Sequence, residues 1–218
     1  MKNKQLYLLG ASFAALLFFM LGYVVKFYPD VLKAFDSSMQ GAVRGDLPKN
    51  ATMFFKAVTQ LGHEVYIFVY VFLIALLCYF WKKWKAEAYF LAGNLILMSI
   101  FSTAFKYLYS RARPNLYYLI EKPMGASFPS WHAASTMIVA LSLAVIVQQR
   151  MTKEVPKRIV QIILIFLAVL TALSRIYLGV HYPSDIVGGW LLAAAISAFV
   201  YPFYAQKRFE WRFQGRQK

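Results

Sequence analysis

Acidic side chains are scarce in this chain: nine Asp and Glu stand against 24 Lys and Arg in 218 residues, a formal charge of +15. Charged residues of both signs make up only 15% of the sequence, well under the roughly 25% of an average soluble domain, which excludes an ordinary solvated surface. A single cysteine excludes an intramolecular disulfide framework. It lies inside an apolar run, so Cys78 reads as a small core residue. No repeat and no low-complexity tract is present, which removes solenoids and disordered scaffolds from consideration.

What fills the chain instead is hydrocarbon, with 60% hydrophobic residues and a mean hydropathy of +0.51. Six apolar runs fall at roughly 5–27, 58–80, 87–107, 131–149, 158–176 and 184–205, each near the ~20 residues a helix needs to cross a bilayer. Lipid offers unpaired backbone groups no water, so the expected fold is all-α: a polytopic six-helix bundle forming one domain over 1–218. The first run follows MKNK but exceeds the roughly 7–15 residues of a signal h-region and lacks a small-residue cleavage site, so it is read as an anchor.

The positive charge does not point to nucleic acid, because the basic residues sit at the ends of apolar runs instead of on one hydrophilic module. With the N-terminus in the cytoplasm, 14 of the 24 Lys and Arg fall on that side, in the shorter connections. That is the form of the positive-inside rule, and both termini are predicted to be cytoplasmic. The longest connection, about 28–57, carries Val31, Leu32, Phe35 and Met39 at helical spacing, which predicts a short helix lying in the outer interface between the first two spans.

Parity of six crossings then places four span ends together on the outer side. They read KYLYSRARP (106–114), FPSWH (128–132), SR (174–175) and HYPSD (181–185). Pro129 and Pro183 are ordinary helix-start signals. A charge inside a bilayer costs about 2.5–3.5 kcal/mol unless it is partnered or hydrated, so three cations, two histidines and one carboxylate at one level predict a polar pocket. It is expected among the last three spans, with the third supplying a basic arm. The excess of cations asks for an anion, and phosphate fits best. Lys106, Arg113 and Arg175 supply charge and planar forks. The start of the fourth span offers the N–H groups of Ser130 and Trp131 and the Ser130 hydroxyl. Asp185, four residues after His181, can take its Nδ1 proton and leave Nε2 free to attack phosphorus, while His132 protonates the leaving oxygen.

These residues resemble the three-part signature of the type 2 phosphatidic acid phosphatase (PAP2) superfamily, which includes bacterial phosphatidylglycerophosphatase B-like and undecaprenyl pyrophosphate phosphatase-like enzymes. K-x6-RP is met by Lys106 to Arg113-Pro114, PSGH by Pro129-Ser130-Trp131-His132, and SR-x5-H-x3-D by Ser174-Arg175 through His181 to Asp185. The resemblance implies a multi-pass enzyme of a bacterial-type plasma membrane, with its site facing outside and no metal or other cofactor. His181 is then the nucleophile, Asp185 its orienting partner and His132 the general acid and base. Lys106, Arg113, Ser130, Arg175 and the Trp131 N–H hold the phosphate, and Ser174 has a weaker role.

Trp131 replaces the usual glycine of PSGH. If the position needs only helical dihedrals the change keeps the N–H and sets a ring at the headgroup level; if it needs positive φ the pocket is distorted. The expected substrate is an anionic lipid phosphate. Phosphatidylglycerol phosphate leads, undecaprenyl pyrophosphate is the alternative, and phosphatidic acid and diacylglycerol pyrophosphate stand behind. Two other classes stay open: a catalytically weak lipid-binding protein, for which Trp131 argues, and a transporter, against which the spans show no matching polar residues near their middles. Tyr117, Tyr118, Lys122 and Arg111 read as an interface belt or as headgroup contacts. Gly189, Ala193 and Ser197 permit close helix packing, and a monomer is favoured over a dimer.

Overall fold

The computed structural model describes residues 3–217. Among these residues eight α-helices follow one another: α1 (Lys4–Phe27), α2 (Asp30–Arg44), α3 (Lys49–Val58), α4 (Glu64–Leu76), α5 (Lys85–Tyr109), α6 (Trp131–Arg150), α7 (Glu154–Tyr177) and α8 (Pro183–Phe213). A 3-10 turn, Thr59–Gly62, joins α3 to α4, and a π turn, Leu77–Trp81, ends α4 around the buried Cys78. No strand occurs among the described residues. Among the described residues six helices are long and apolar enough to span a bilayer, α4 together with its π turn and α1, α5, α6, α7 and α8. Each overlaps one of the six apolar runs; the second span starts at Glu64 instead of 58, after the 3-10 turn, and α8 continues past 205 to Phe213.

The packing follows from side-chain size. α6 is the most enclosed of the six, and it lies against α5, α7 and α8. Its buried positions include Ala133, Ala134, Ser135, Ala140 and Ser142, small residues that let neighbouring backbones approach. Gly189 of α8 is required there: a Cβ on it would stand 2.8 Å from the Ser130 carbonyl and 3.1 Å from the Ala134 nitrogen. Large apolar residues such as Leu6, Phe72, Ile100 and Phe166 face outward, as expected of a surface solvated by lipid tails.

Two expectations need correction. The connection between the first two spans holds two helices and a 3-10 turn, because Gly45 (φ +50°) and Pro48 interrupt the helical run after Arg44. α2 is amphipathic as expected, with Val31, Phe35 and Met39 exposed. Its opposite face, however, buries Asp36 and Gln40 against the end of the bundle. The spans also carry a polar pair near their middles, where Asn94 Nδ2 donates to Ser142 Oγ at 2.8 Å between α5 and α6. The bond spans a helix contact within the same core as fully buried Leu91, Leu95, Met98 and Ile138, while Asn94 Oδ1 has no partner among the described residues.

The chain reversals bring the end of α5, the start of α6, the end of α7 and the start of α8 to one end of the bundle, with α2, α3 and the 3-10 turn packed over them. At the opposite end Glu87, 0% exposed, accepts from Arg150 Nε and Arg208 Nε, each at 2.8 Å, and so ties α5, α6 and α8 together.

Candidate active site

α7 stops at Tyr177 and the chain turns within five residues into α8. Gly179 makes this turn at φ +82°, where a Cβ would also collide with the Arg44 guanidinium at 2.3 Å. The turn sets His181 one helical step before Asp185. His181 Nδ1 lies 3.2 Å from Asp185 Oδ2, and that oxygen also accepts from the Tyr182 N–H at 2.9 Å. On the other side of the ring, Arg113 Nη1 is 3.3 Å from His181 Nε2. An arginine N–H can only donate, so this pair of contacts fits a ring with its proton on Nδ1 and a lone pair on Nε2. Burial, then the positive charges of Lys106, Arg175 and Arg113, hold the His181 imidazole well below the usual histidine range. A neutral imidazole is the form that can act as a nucleophile.

The three cations converge on this ring but are not equally engaged. Lys106 Nζ donates to the Ala126 carbonyl at 2.6 Å and has two further N–H bonds. Arg175 is buried and gives Nη1 to Thr59 Oγ1 at 2.7 Å, while its Nε has no partner among the described residues. Arg113 is threaded through carbonyls: Nε donates to Gly125 at 3.1 Å, Nη1 to Val180 at 3.0 Å and Nη2 to Met124 at 3.2 Å. Its charge faces the site, but its fork is spent on the 124–126 loop and on the turn before α8. Desolvation in this setting lowers the Arg113 pKa from its ordinary value.

The start of α6 corrects one sequence reading. The Ser130 N–H is not free, since it donates to the Asp185 carbonyl at 3.0 Å, and Ser130 Oγ caps the helix by accepting from Ala133 N–H at 3.5 Å. The donors without an acceptor among the described residues are those of Trp131 and His132. The hydrogen of the Ser130 hydroxyl adds a third. This remains an anion-binding helix terminus, displaced by one residue from the expected position.

Trp131 opens α6 with ordinary helical geometry; among the described residues, the non-glycine ones at positive φ are Leu47, Lys83 and Ser110. The replacement of glycine therefore imposes no backbone strain. Its ring faces the bundle and not the outside. It is 8% exposed and packs into the core, 6.2 Å from the ring of Phe68 on α4. His132, the next residue, lies within electrostatic reach of Arg175, His181 and Lys106. Ser174 Oγ donates to the Thr171 carbonyl at 2.5 Å within its own helix.

Several residues of this end were not anticipated. Arg111, expected at an interface belt or a headgroup, is buried. It donates Nη1 to Asp185 Oδ1 at 2.7 Å and Nη2 to Asp36 Oδ2 at 2.8 Å. Asp36 in turn accepts from Ser184 N and Ser184 Oγ, and Gln40 Nε2 reaches the His181 carbonyl at 3.4 Å. The signal was present as Asp36 and Gln40 at i, i+4 on α2, a polar stripe opposite Val31, Phe35 and Met39. Tyr117 is exposed, Tyr118 bonds the Pro114 carbonyl, and Lys122 lies over the Tyr118 ring, 5.7 Å from its centre. These three remain at the rim.

The family model described as the PAP2 superfamily matches residues 87–209, which include every motif residue from Lys106 to Asp185. The chain is similar to an undecaprenyl-diphosphatase of Sulfolobus acidocaldarius, 32% identical over 145 residues. That match spans 64% of this chain and 64% of the relative, just under two thirds of its length. A phosphatidylglycerophosphatase B of Bacillus subtilis is 28% identical over 158 residues, 67% of this chain and 71% of that protein. The fold is that of the crystal structure of a transmembrane PAP2 type phosphatidylglycerolphosphate phosphatase from Bacillus subtilis. The two superpose with a TM-score of 0.78 over 90% of this chain and 96% of that one, at 22% identity.

Proposed function

The chain belongs to the PAP2 superfamily, a family of phosphatases, and we propose that it is a lipid phosphatase working through a phosphohistidine, with phosphatidylglycerol phosphate as its leading substrate. The observation that carries the reading is the His181 ring, oriented by Asp185 at 3.2 Å with Nε2 turned toward Arg113 and the cationic end of the bundle. In the first step Nε2 attacks phosphorus, the N–P bond forms and the ester P–O bond breaks; His132 gives its proton to the leaving lipid oxygen. Water then attacks the phosphohistidine, His132 takes its proton, and the N–P bond breaks to release inorganic phosphate. Lys106, Arg113, Arg175, the Ser130 hydroxyl and the N–H of Trp131 stabilise the charge on the equatorial oxygens.

The substrate choice rests on Arg111. A terminal diphosphate brings a second charged phosphoryl group beside the first, and Arg111, two residues before Arg113, is committed to Asp36 and Asp185. This favours one phosphoryl group per site. The second reading, undecaprenyl pyrophosphate, draws on the 32% identity to a relative named for that activity. The lysine and arginine distribution supports a site at the outer leaflet with both termini in the cytoplasm, and all proposed site residues come from one chain, which suits a monomer.

The test is phosphate release by purified protein from a panel of lipid mono- and diphosphates, with His181→Ala as the blank. The expected result is an acid-labile, base-stable phosphoenzyme in the parent, none in the blank, and the highest kcat/KM on the monophosphate. A blank as active as the parent overturns the mechanism; a higher kcat/KM on the diphosphate overturns the substrate choice alone.

A further inference from the structure

We propose that Asp36 and Arg111 are positioning residues for the His181–Asp185 pair, so that α2 forms part of the catalytic machinery although it lies outside the region shared with the family model. The inference rests on His181 being the nucleophile. Asp185 has two carboxylate oxygens with separate duties. Oδ2 holds His181 Nδ1 and Tyr182 N–H, and Oδ1 is held by Arg111 Nη1 at 2.7 Å. The orientation of the imidazole therefore depends on what fixes Arg111, a long side chain with several rotatable bonds.

Three contacts fix it. Asp36 Oδ2 accepts Nη2 at 2.8 Å, Ser184 Oγ accepts Nη1 at 2.7 Å, and the guanidinium carbon lies 4.0 Å from the centre of the Tyr182 ring. Asp36 is itself locked, since Ser184 gives it a backbone N–H at 2.9 Å and a hydroxyl at 2.8 Å. All the charges are out of solvent, with side-chain exposures of 9% for Arg111, 4% for Asp36 and 0% for Asp185. In that low dielectric an unbalanced arginine would draw Asp185 away from His181. Asp36 divides the arginine charge between two carboxylates and leaves Asp185 a strong acceptor for Nδ1. Asp36 also faces the first turn of α8, where a carboxylate is favoured by the helix N-terminus.

The experiment measures steady-state kinetics of full-length Asp36→Asn on the lipid monophosphate, alone and in an Asp185→Asn background, beside parent and His181→Ala. A residue acting through Asp185 lowers kcat about 10- to 100-fold, the loss usual when the partner of a site ligand is removed. KM should stay within about twofold, as expected for a contact made to the catalytic group and not to substrate. In the Asp185→Asn background the same change should have little effect, because the contact it serves is gone. Equal losses in both backgrounds, an effect on KM alone, or a parental kcat would each overturn the proposal. If Asp36→Asn does not fold, Ser184→Ala carries the test, and an unchanged kcat there overturns it. An active His181→Ala protein would instead refute the nucleophile assignment, so the two failures are distinct.

Discussion

Gly62 and His132 are in near contact: a Cβ built on the glycine would stand 3.0 Å from His132 Cδ2 and equally close to Thr171 Cγ2, with Thr136 Cγ2 at 3.2 Å. The 3-10 turn between α3 and α4 thus forms one wall of the His132 site, and a side chain at position 62 would crowd the ring and the two threonine methyls beside it. Gly62→Ala asks the imidazole or the Thr171 methyl to give way slightly and is expected to lower kcat several-fold, well short of the roughly 100-fold that a misplacement of about 1 Å can cost. KM should change much less. Gly62→Val should be worse in the same sense. Kinetics of the two variants check this, and a parental kcat in Gly62→Ala would show that His132 has room to spare.

Trp131→Gly restores the family's usual residue and is expected not to raise turnover, because position 131 already has helical dihedrals and keeps its N–H. What it removes is a buried ring against Phe68. Loss of a large aromatic from a core costs about 3–5 kcal/mol, so the melting temperature should fall clearly in detergent. Paired thermal melts and turnover measurements test both halves. A large gain in turnover would mean that the tryptophan obstructs the pocket.

The six spans were legible because a bilayer demands about 20 apolar residues per crossing and the chain supplies six such runs. The motif residues were legible because their spacing places them at span ends, and parity alone brings those ends together. Partners distant in sequence were not. Asp36 meets Ser184 across 148 residues, and no local pattern encodes that pairing. Arg111 lay inside the spacer of the first motif and read as an interface or headgroup residue, whereas two carboxylates hold it in the interior. The Ser130 N–H looked free because a helix start normally leaves it so; the turn of α8 supplies the Asp185 carbonyl that takes it.

Proton linkage at His181 gives a stability prediction. Its folded-state pKa is held below the ordinary value, so between the two values the unfolded chain binds more protons than the folded one, and stability rises with pH. The contribution is complete above the unfolded histidine value of about 6.5 and is lost as pH falls below it. The melting temperature should therefore drop as the buffer is taken from about pH 7 to pH 5, where an unperturbed histidine gains its proton. His181→Gln, which cannot take up the proton, should flatten that slope. An identical pH dependence in the two proteins would remove His181 from the linkage.

At the far end of the bundle, Glu87 should govern stability without touching catalysis. One of its oxygens takes Arg150 and Arg208 while the carboxylate is fully buried. Removing the acid would leave two arginines beside each other at a junction of three helices. Breaking a buried ion pair from one side costs about 3–5 kcal/mol, so Glu87→Ala is expected to lower the melting temperature strongly. Glu87 is nineteen residues before Lys106 on the same helix, about 28 Å at 1.5 Å per residue. At a temperature where both proteins are folded, kcat and KM on the lipid phosphate should match the parent. A loss of kcat in folded Glu87→Ala would mean that the two ends of α5 are coupled, and would assign the ion cluster a role in holding the register of α5 against α6 and α8.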